Sequence, residues 1–325
     1  MDNIENKFKN LRSLVGNTPL VRLMATINGQ EKEIFAKYEA FNFSGSIKDR
    51  MALQILEAAY HLGTLKAGDT IVEATSGNTG IAFAAMGAFL GHPVQILMPS
   101  WLSEERKQLL RFYGAQLTEI SAKEGGFAHC IALANQKSQK KGYFGPKQFE
   151  NSWNVLAHMK TTAPEVEATL EAFNLGKLDI FTAGMGTGGT LMGFLRYFSP
   201  KNANFQVFPI LPSKNKDGEH KIEGIGDSFI PSIVNLDELQ PIRRVKDEDA
   251  INVARKINKL GLSVGISSGA NVFGALVQAL HEDPGTNIAT ILCDDNKKYL
   301  TTDLCSNVAL TPSHEIEILD FEIIS

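Results

Sequence analysis

The sequence predicts an α/β fold in two parallel-sheet lobes, and three observations predict it. Strand-like and helix-like segments alternate from Asp69 onward. Two glycine-rich turns, Thr75-Ser76-Gly77-Asn78-Thr79-Gly80 and Gly184-Met185-Gly186-Thr187-Gly188-Gly189-Thr190, each follow a strand-like run and open a helix-like one. The chain of 325 residues, 43% hydrophobic and 21% charged, is long enough for two compact units of ordinary globular composition. Such a rhythm favours parallel sheets covered by helices.

Taken in order, Thr70–Ala74 reads as a strand running into the first glycine turn, and Gly80–Leu90 as the helix that follows. Val94–Met98 is the next strand and stops at Pro99. Ser103–Tyr113 reads as a helix with a serine cap, two glutamates in its first turn and Gly114 just past its end. Leu178–Ala183 is a strand entering the second glycine turn, with a helix over Thr190–Phe198. A boundary near residue 150 divides a lobe of residues 41–150 from one of residues 151–325, joined by residues 10–40. Ser213–His220 reads as a surface loop. Ligands of open α/β sheets bind at the carboxyl ends of strands, so distant turns can converge on one cleft.

Several classes are excluded. A net charge of −4 gives no attraction for nucleic acid or an anionic membrane. The apolar run Ile81–Met98 is broken by Gly87, Gly91, His92 and Pro93, which reads as helix, turn and strand rather than a membrane span. Cys130, Cys293 and Cys305 have neither metal-ligand spacing nor the number for a disulfide framework. Met1–Lys7 is polar, without a signal-peptide core, and a cytoplasmic home is expected.

The chemistry starts at Lys48, within Asn42-Phe43-Ser44-Gly45-Ser46-Ile47-Lys48-Asp49-Arg50. A lysine by itself reads as a surface residue. Small residues before it and Asp49-Arg50 after it suit instead a desolvated amine that reacts with an aldehyde. The turn Thr75–Gly80 reads as a capped helix entry, or as a binder of a substrate carboxylate at the positive end of a helix. Gly184–Thr190 offers four glycines for close backbone approach and two threonine hydroxyls for phosphate oxygens. It lacks the Gly-Lys-Ser/Thr ending of a P-loop. It fits the dinucleotide fingerprint imperfectly, with Ser199-Pro200-Lys201-Asn202 where an acidic residue belongs. An imine-forming amine, a polar turn and a phosphate cradle together describe a site for pyridoxal 5′-phosphate.

These segments, with Gly16–Leu23, Gln148–Asn151, Ile222–Gly226, Gly265–Ala270 and Lys298–Thr302, resemble the cysteine synthase/cystathionine β-synthase family over nearly the whole chain and in order. The resemblance implies the tryptophan synthase β-subunit-like, fold type II architecture, a homodimer, and a role for each matching residue. Lys48 would be the Schiff-base lysine that also moves the substrate α-proton. Asn78 would meet the cofactor 3-hydroxyl, and Gly186, Thr187, Gly188, Gly189 and Thr190 its phosphate. Thr75, Ser76, Thr79 and Gln148 would bind the amino-acid carboxylate. Ser267 would meet the pyridine nitrogen, and a serine there, unlike a carboxylate, does not force that nitrogen to stay protonated. Early loss of a β-substituent to an aminoacrylate, then addition of a second nucleophile, is the expected course.

Two positions depart from the family. Phe43 stands where a proline is usual, and reads as a packing residue or a substrate contact. Asp227 follows Gly224-Ile225-Gly226, where cysteine synthases carry a small residue. It reads as a general base for the second nucleophile, or as a loop aspartate or cap before Ser228. The leading expectation is cysteine synthase, which makes cysteine and acetate from O-acetylserine and sulfide. With Asp227 as base, a cysteine β-lyase or hydroxyl-lyase, or a cystathionine β-synthase-like enzyme, would instead release hydrogen sulfide from L-cysteine. A binding protein that kept the fold, and an NAD-binding oxidoreductase, are the readings from other classes.

Overall fold

In the computed structural model, which describes residues 2–214, 220–227 and 229–324, the apolar runs of the sequence form the centres of two sheets. Helix α1 (Asp2–Arg12) precedes a hairpin of β1 (Leu20–Ile27) and β2 (Gln30–Tyr38). Its two-residue turn, Asn28-Gly29, has φ of +52° and +77°, the left-handed geometry an Asn-Gly pair tolerates best. There follow α2 (Lys48–His61), β3 (Thr70–Ala74), α3 (Asn78–Leu90), β4 (Val94–Pro99), α4 (Glu104–Phe112), β5 (Gln116–Ile120), α5 (Gly126–Ser138) and β6 (Tyr143–Phe144). Then α6 (Ser152–Ala157) runs through a π turn (His158–Thr162) into α7 (Ala163–Ala172). The chain finishes with β7 (Ile180–Gly184), α8 (Gly189–Phe198), β8 (Gln206–Pro212), β9 (Arg243–Val245), α9 (Asp247–Lys259), α10 (Ile266–Ala279), β10 (Ile288–Leu292) and β11 (Ile316–Ile324).

The smaller sheet is parallel, in the order β5-β4-β3-β6. The larger runs β11-β1-β2-β10-β7-β8-β9 and is mixed. Parallel pairing holds from β2 across to β9, while β11, β1 and β2 are antiparallel neighbours. The expectation of two parallel sheets is thus corrected for the larger one, because a two-residue turn joins only antiparallel strands. Residues 20–38, expected as part of a connection between lobes, are two strands of that sheet. Of the expected loop Ser213–His220, residues 215–219 lie outside the described residues, as does Ser228.

Alternation assigns the core residues. In β7, Ile180 faces one hydrophobic cluster and Phe181 the other; in β8, Phe208 and Val207 divide the same way. Helices α9 and α10 cover the first face, α7 and α8 the second. The smaller lobe has its own core, where Phe8 and Leu11 of α1 meet Met51 and Leu56 of α2 and Phe83 of α3. Ile81–Met98 divides into α3, a turn at Gly91 with φ +92°, and β4. No helix among the described residues is long and apolar enough to cross a membrane. Phe43 packs against the small-lobe core and meets Phe89 edge to face, which favours its packing role.

A buried ionic cluster fastens the lobes to one another. Arg50 of α2 donates Nε and Nη2 to Glu39, at the end of β2, at 2.6 and 2.8 Å, and both side chains are fully buried. It also forks onto Glu165 of α7 at 2.7 and 2.8 Å, while Lys37 pairs with Glu165 at 2.9 Å. Thr18 Oγ1 donates to Glu39 at 2.7 Å. Burial pushes the Glu39 carboxyl up, but the charge and hydrogen bonds of Arg50 outweigh it and hold it at about 2. Glu39 therefore contributes fully above the usual carboxylate range, and its contribution is lost as pH falls toward about 2. Arg50→Met strands a buried carboxylate and should cost about 3–5 kcal/mol, read as a lower midpoint in urea unfolding. A loss near zero would show the pair to be dispensable.

Candidate active site

Lys48 opens α2 and lines a cleft between the lobes. The loop before it is held from every side. Asn42 Oδ1 accepts from Gly16 N at 2.8 Å, and the Asn42 amide donates to Glu39. The Asp49 carboxylate, fully buried, accepts from the backbone N–H groups of Ser44 and Ser46 at 3.0 and 3.2 Å. Ile47 N donates to Cys293 O, and Lys298 Nζ to Gly45 O, at 2.9 and 2.7 Å. The Asp49-Arg50 pair thus acts as scaffold for the lysine, one residue bracing its loop and the other its helix.

Across the cleft lies the turn between β3 and α3. Gly77 has φ +155°, and a Cβ there would come within 2.6 Å of the Arg106 side chain. Thr75 Oγ1 accepts from Gly77 N at 3.0 Å. Thr79 Oγ1 donates to Gln148 Oε1 at 2.7 Å, and Gln148 Nε2 donates to Ala74 O at 2.8 Å. Asn78 Nδ2 donates to Asp294 Oδ2 at 2.7 Å, leaving its buried Oδ1 without a partner among the described residues. Thr75, Ser76, Asn78, Thr79 and Gln148 all line the cleft.

From the larger lobe comes the turn between β7 and α8, with Gly186, Thr187, Gly188 and Thr190 on the cleft wall. A Cβ on Gly186 would collide with the carbonyl oxygen of Gly224, and one on Gly189 with the Asn154 amide. Gly188, at φ +82°, is the N-cap of α8, so the turn presents its backbone at the positive end of a helix. Asn154 Nδ2 donates to Thr187 Oγ1 at 2.9 Å and to Gln148 O at 3.0 Å. His158 places Nδ1 at 2.9 Å from Thr162 Oγ1 and Nε2 at 3.3 Å from Thr190 Oγ1. Burial, helped by the Arg50 charge, pushes its pKa down to about 3, so the ring is neutral.

Ser267, buried in the first turn of α10, closes the far end of the cleft beside Cys293. Burial pushes the Cys293 thiol up to about 11, and Asn271 Nδ2 donates to its sulfur at 3.3 Å. Both groups at this end are therefore uncharged. Asp227 also lines the cleft, where burial raises its carboxyl to about 6 against the opposing charge of Lys48.

Every candidate residue read from the sequence reaches this cleft wall except Gly189, which lies behind it against Asn154. Sequence reading missed Arg106, Glu223, Cys293 and Asp294. Arg106 of α4 is buried, stacks over the Tyr299 ring at 4.6 Å and forms an ion pair with Glu223. The one signal for Asp294 was its place just beyond the carboxyl end of a strand.

The donor set fits pyridoxal phosphate. It supplies an amine for the aldehyde, a glycine turn at a helix N-terminus for the phosphate, and an uncharged hydroxyl for the ring nitrogen. The orphaned Asn78 Oδ1 marks a polar position that a ligand would complete.

Comparison with known proteins agrees. Residues 11–294 match the family described as pyridoxal-phosphate dependent enzyme. Cysteine synthase from Staphylococcus aureus is 37% identical over 304 residues, 91% of this chain and 97% of that one. A hydrogen sulfide-producing enzyme from Fusobacterium nucleatum superposes with a TM-score of 0.91 at 43% identity, covering 98% of this chain and 100% of that one. A mutant of a hydrogen sulfide-producing enzyme with asparagine in place of an aspartate, solved with an α-aminoacrylate intermediate, superposes with a TM-score of 0.92 at 43% identity, covering 98% and 99%. Cysteine synthase from Entamoeba histolytica superposes with a TM-score of 0.81 at 34% identity, covering 93% and 92%.

The contact between Gly186 and Gly224 is backbone against backbone, so it cannot be relieved by a side-chain shift. Gly186→Ala should weaken cofactor retention roughly 5- to 150-fold, the equivalent of about 1–3 kcal/mol of overpacking. Cofactor absorbance remaining after dialysis measures it; wild-type retention would remove this turn from the cofactor site.

Proposed function

The chain belongs to the pyridoxal-phosphate dependent enzyme family, and from that premise we propose that it converts L-cysteine and water to hydrogen sulfide and L-serine, with Asp227 as the base for water. It is a cysteine synthase-like β-replacement enzyme. What decides between its possible second nucleophiles is Asp227, a half-buried carboxyl on the wall shared with Lys48.

A carboxyl at about 6 is ionised at neutral pH yet more basic than an ordinary aspartate, which suits proton removal from water as it attacks carbon. The same negative charge, in a cleft screened from solvent, opposes entry of hydrosulfide as nucleophile. Both effects favour sulfide as the group that leaves. The Fusobacterium nucleatum enzyme, hydrogen sulfide-producing at 43% identity, supports this reading.

Bound in the cleft, the cofactor supplies an electron sink that acidifies the α-carbon and lets the β-substituent depart. The chain's own residues do the rest. Lys48 Nζ would hold the cofactor aldehyde and is the amine placed to take the substrate α-proton. Thr75, Ser76, Thr79 and Gln148 grip the substrate carboxylate at the N-terminal end of α3, where the helix dipole favours an anion. Gly186, Thr187, Gly188, Gly189 and Thr190 hold the phosphate. Asn78, oriented by Asp294, would meet the ring hydroxyl. Ser267 would meet the ring nitrogen, and the neutral Cys293 beside it adds no charge that would hold a proton there. The Arg106–Glu223 ion pair ties the loop carrying Asp227 to the smaller lobe.

A second reading, synthesis of cysteine from O-acetylserine and sulfide, is favoured by the Staphylococcus aureus relative. A homodimer is proposed on the family resemblance, and a cytoplasmic setting on the unpaired cysteine usage.

Lys48→Ala should lose the imine absorbance and all turnover; normal turnover would sink the site. Asp227→Asn should still release sulfide in a first turnover, but form serine about 10²–10⁴-fold more slowly. Equal loss in both halves would make Asp227 structural. In the unmodified enzyme, serine formation should fall as pH drops through about 6, where Asp227 becomes protonated. A steady-state preference for sulfide over water would favour the second reading.

A further inference from the structure

Glu73, the fourth residue of β3, is 4% exposed and carries a carboxylate with no part in the chemistry above. Among the described residues it forms no salt bridge, and the nearby charge of Glu150 is repulsive. Its acceptors are satisfied by backbone instead. Ala74 N donates to Oε1 at 2.8 Å and Gln148 N to Oε2 at 3.2 Å, and the N–H of Lys147 points to the same carboxylate. Burial pushes this carboxyl up to about 7 against the pull of those N–H groups.

Two further observations give the arrangement a purpose. Lys147 has φ +53°, left-handed geometry that a non-glycine residue keeps only where its surroundings hold it. Consecutive N–H groups from such a turn form a concave anion nest, and the Glu73 carboxylate fills it. The residue this turn presents is Gln148. Its side chain receives the Thr79 hydroxyl and donates to Ala74 O, and its carbonyl accepts from Asn154, which also reaches Thr187. One buried carboxylate thus sits at the root of hydrogen bonds that run to both glycine turns.

We infer that Glu73 is a positioning residue for the amino-acid substrate: it holds the strained Lys147–Gln148 turn and, through Gln148, sets Thr79 and the Thr75–Thr79 turn that grips the substrate carboxylate. This rests on the assignment of Gln148 and Thr79 to that carboxylate.

Glu73→Gln is the discriminating change, because it keeps the volume but gives one of the two oxygens' places to an NH2 group. Ala74 N and Gln148 N lie on different oxygens, so either amide orientation sets a donor against a donor. A spectral titration with L-alanine, which has the α-carboxylate but no β-substituent to lose, reads binding without turnover. The dissociation constant should rise roughly tenfold to a hundredfold. The KM for L-cysteine should rise likewise, while kcat and the spectrum of the resting holoenzyme stay as in wild type. Adding Glu73→Gln to Gln148→Ala should weaken binding no further than Gln148→Ala alone, since the two act in one chain.

Unchanged L-alanine binding in Glu73→Gln, alongside weakened binding in Gln148→Ala, would overturn the role of Glu73 and leave the site assignment standing. Unchanged binding in Gln148→Ala would overturn both. A fall in kcat and cofactor retention equal to the rise in KM would mark Glu73 as merely structural. Should Glu73→Gln fail to accumulate as folded protein, Glu73→Asp, which withdraws the carboxylate by one methylene, is read in the same way.

Discussion

Where Lys48 stands depends on a guanidinium two residues further along. Arg50 is buried in the seam between lobes, held by Glu39 from the strand side and Glu165 from the helix side. Taking such charges out of water is costly, and only complete, well-directed hydrogen bonding repays it. The consequence is geometric more than energetic. A fork locked to two carboxylates allows α2 one rotation about its axis, and the lysine at its first residue inherits that rotation. The smaller lobe, whose core includes α2, is therefore referenced to the larger sheet at the point where Lys48 enters the cleft.

How much of this was readable from the chain varies by element. β3, β4 and β7 are apolar runs bounded by turn residues, and the helices after them start at polar or glycine turns, so all were visible in one dimension. The β1–β2 hairpin was not recognised, although Asn28-Gly29 is a strong local turn signal. The first half of β2, Gln30-Glu31-Lys32-Glu33, is polar and largely solvent-facing, which hid the alternation that would have marked it. Its neighbours in the sheet, β1 and β10, and the pairing of β1 with β11 span most of the chain, and no local pattern reports them.

The site divides along the same line. Lys48, Asn78, Gln148, the β7–α8 turn and Ser267 lie in motifs whose residue types and order carry the chemistry. Arg106 sits between Glu105 and Lys107 in an evidently charged helix, and nothing local shows that it is buried against Tyr299. Asp294 is followed by a second aspartate, and only the fold shows which of the two faces Asn78. Asp227 was visible as a departure from its family, but its desolvation belongs to tertiary structure. Residue chemistry was legible; burial, which tunes that chemistry, was not.

The π turn at His158–Thr162 has a consequence for how this protein tolerates change in length. A helix that carries one extra residue in its hydrogen-bond ladder stores an insertion. The wider turn takes up that residue, whereas an insertion carried within an ordinary α-helical ladder would turn everything beyond it by about 100°. Ser152–Ala157, whose Asn154 braces both Gln148 and Thr187, therefore keeps its facing relative to Ala163–Ala172, whose Glu165 braces Arg50. The bulge thus lets the chain carry one more residue between these two stretches while each stays aimed at its own part of the cleft.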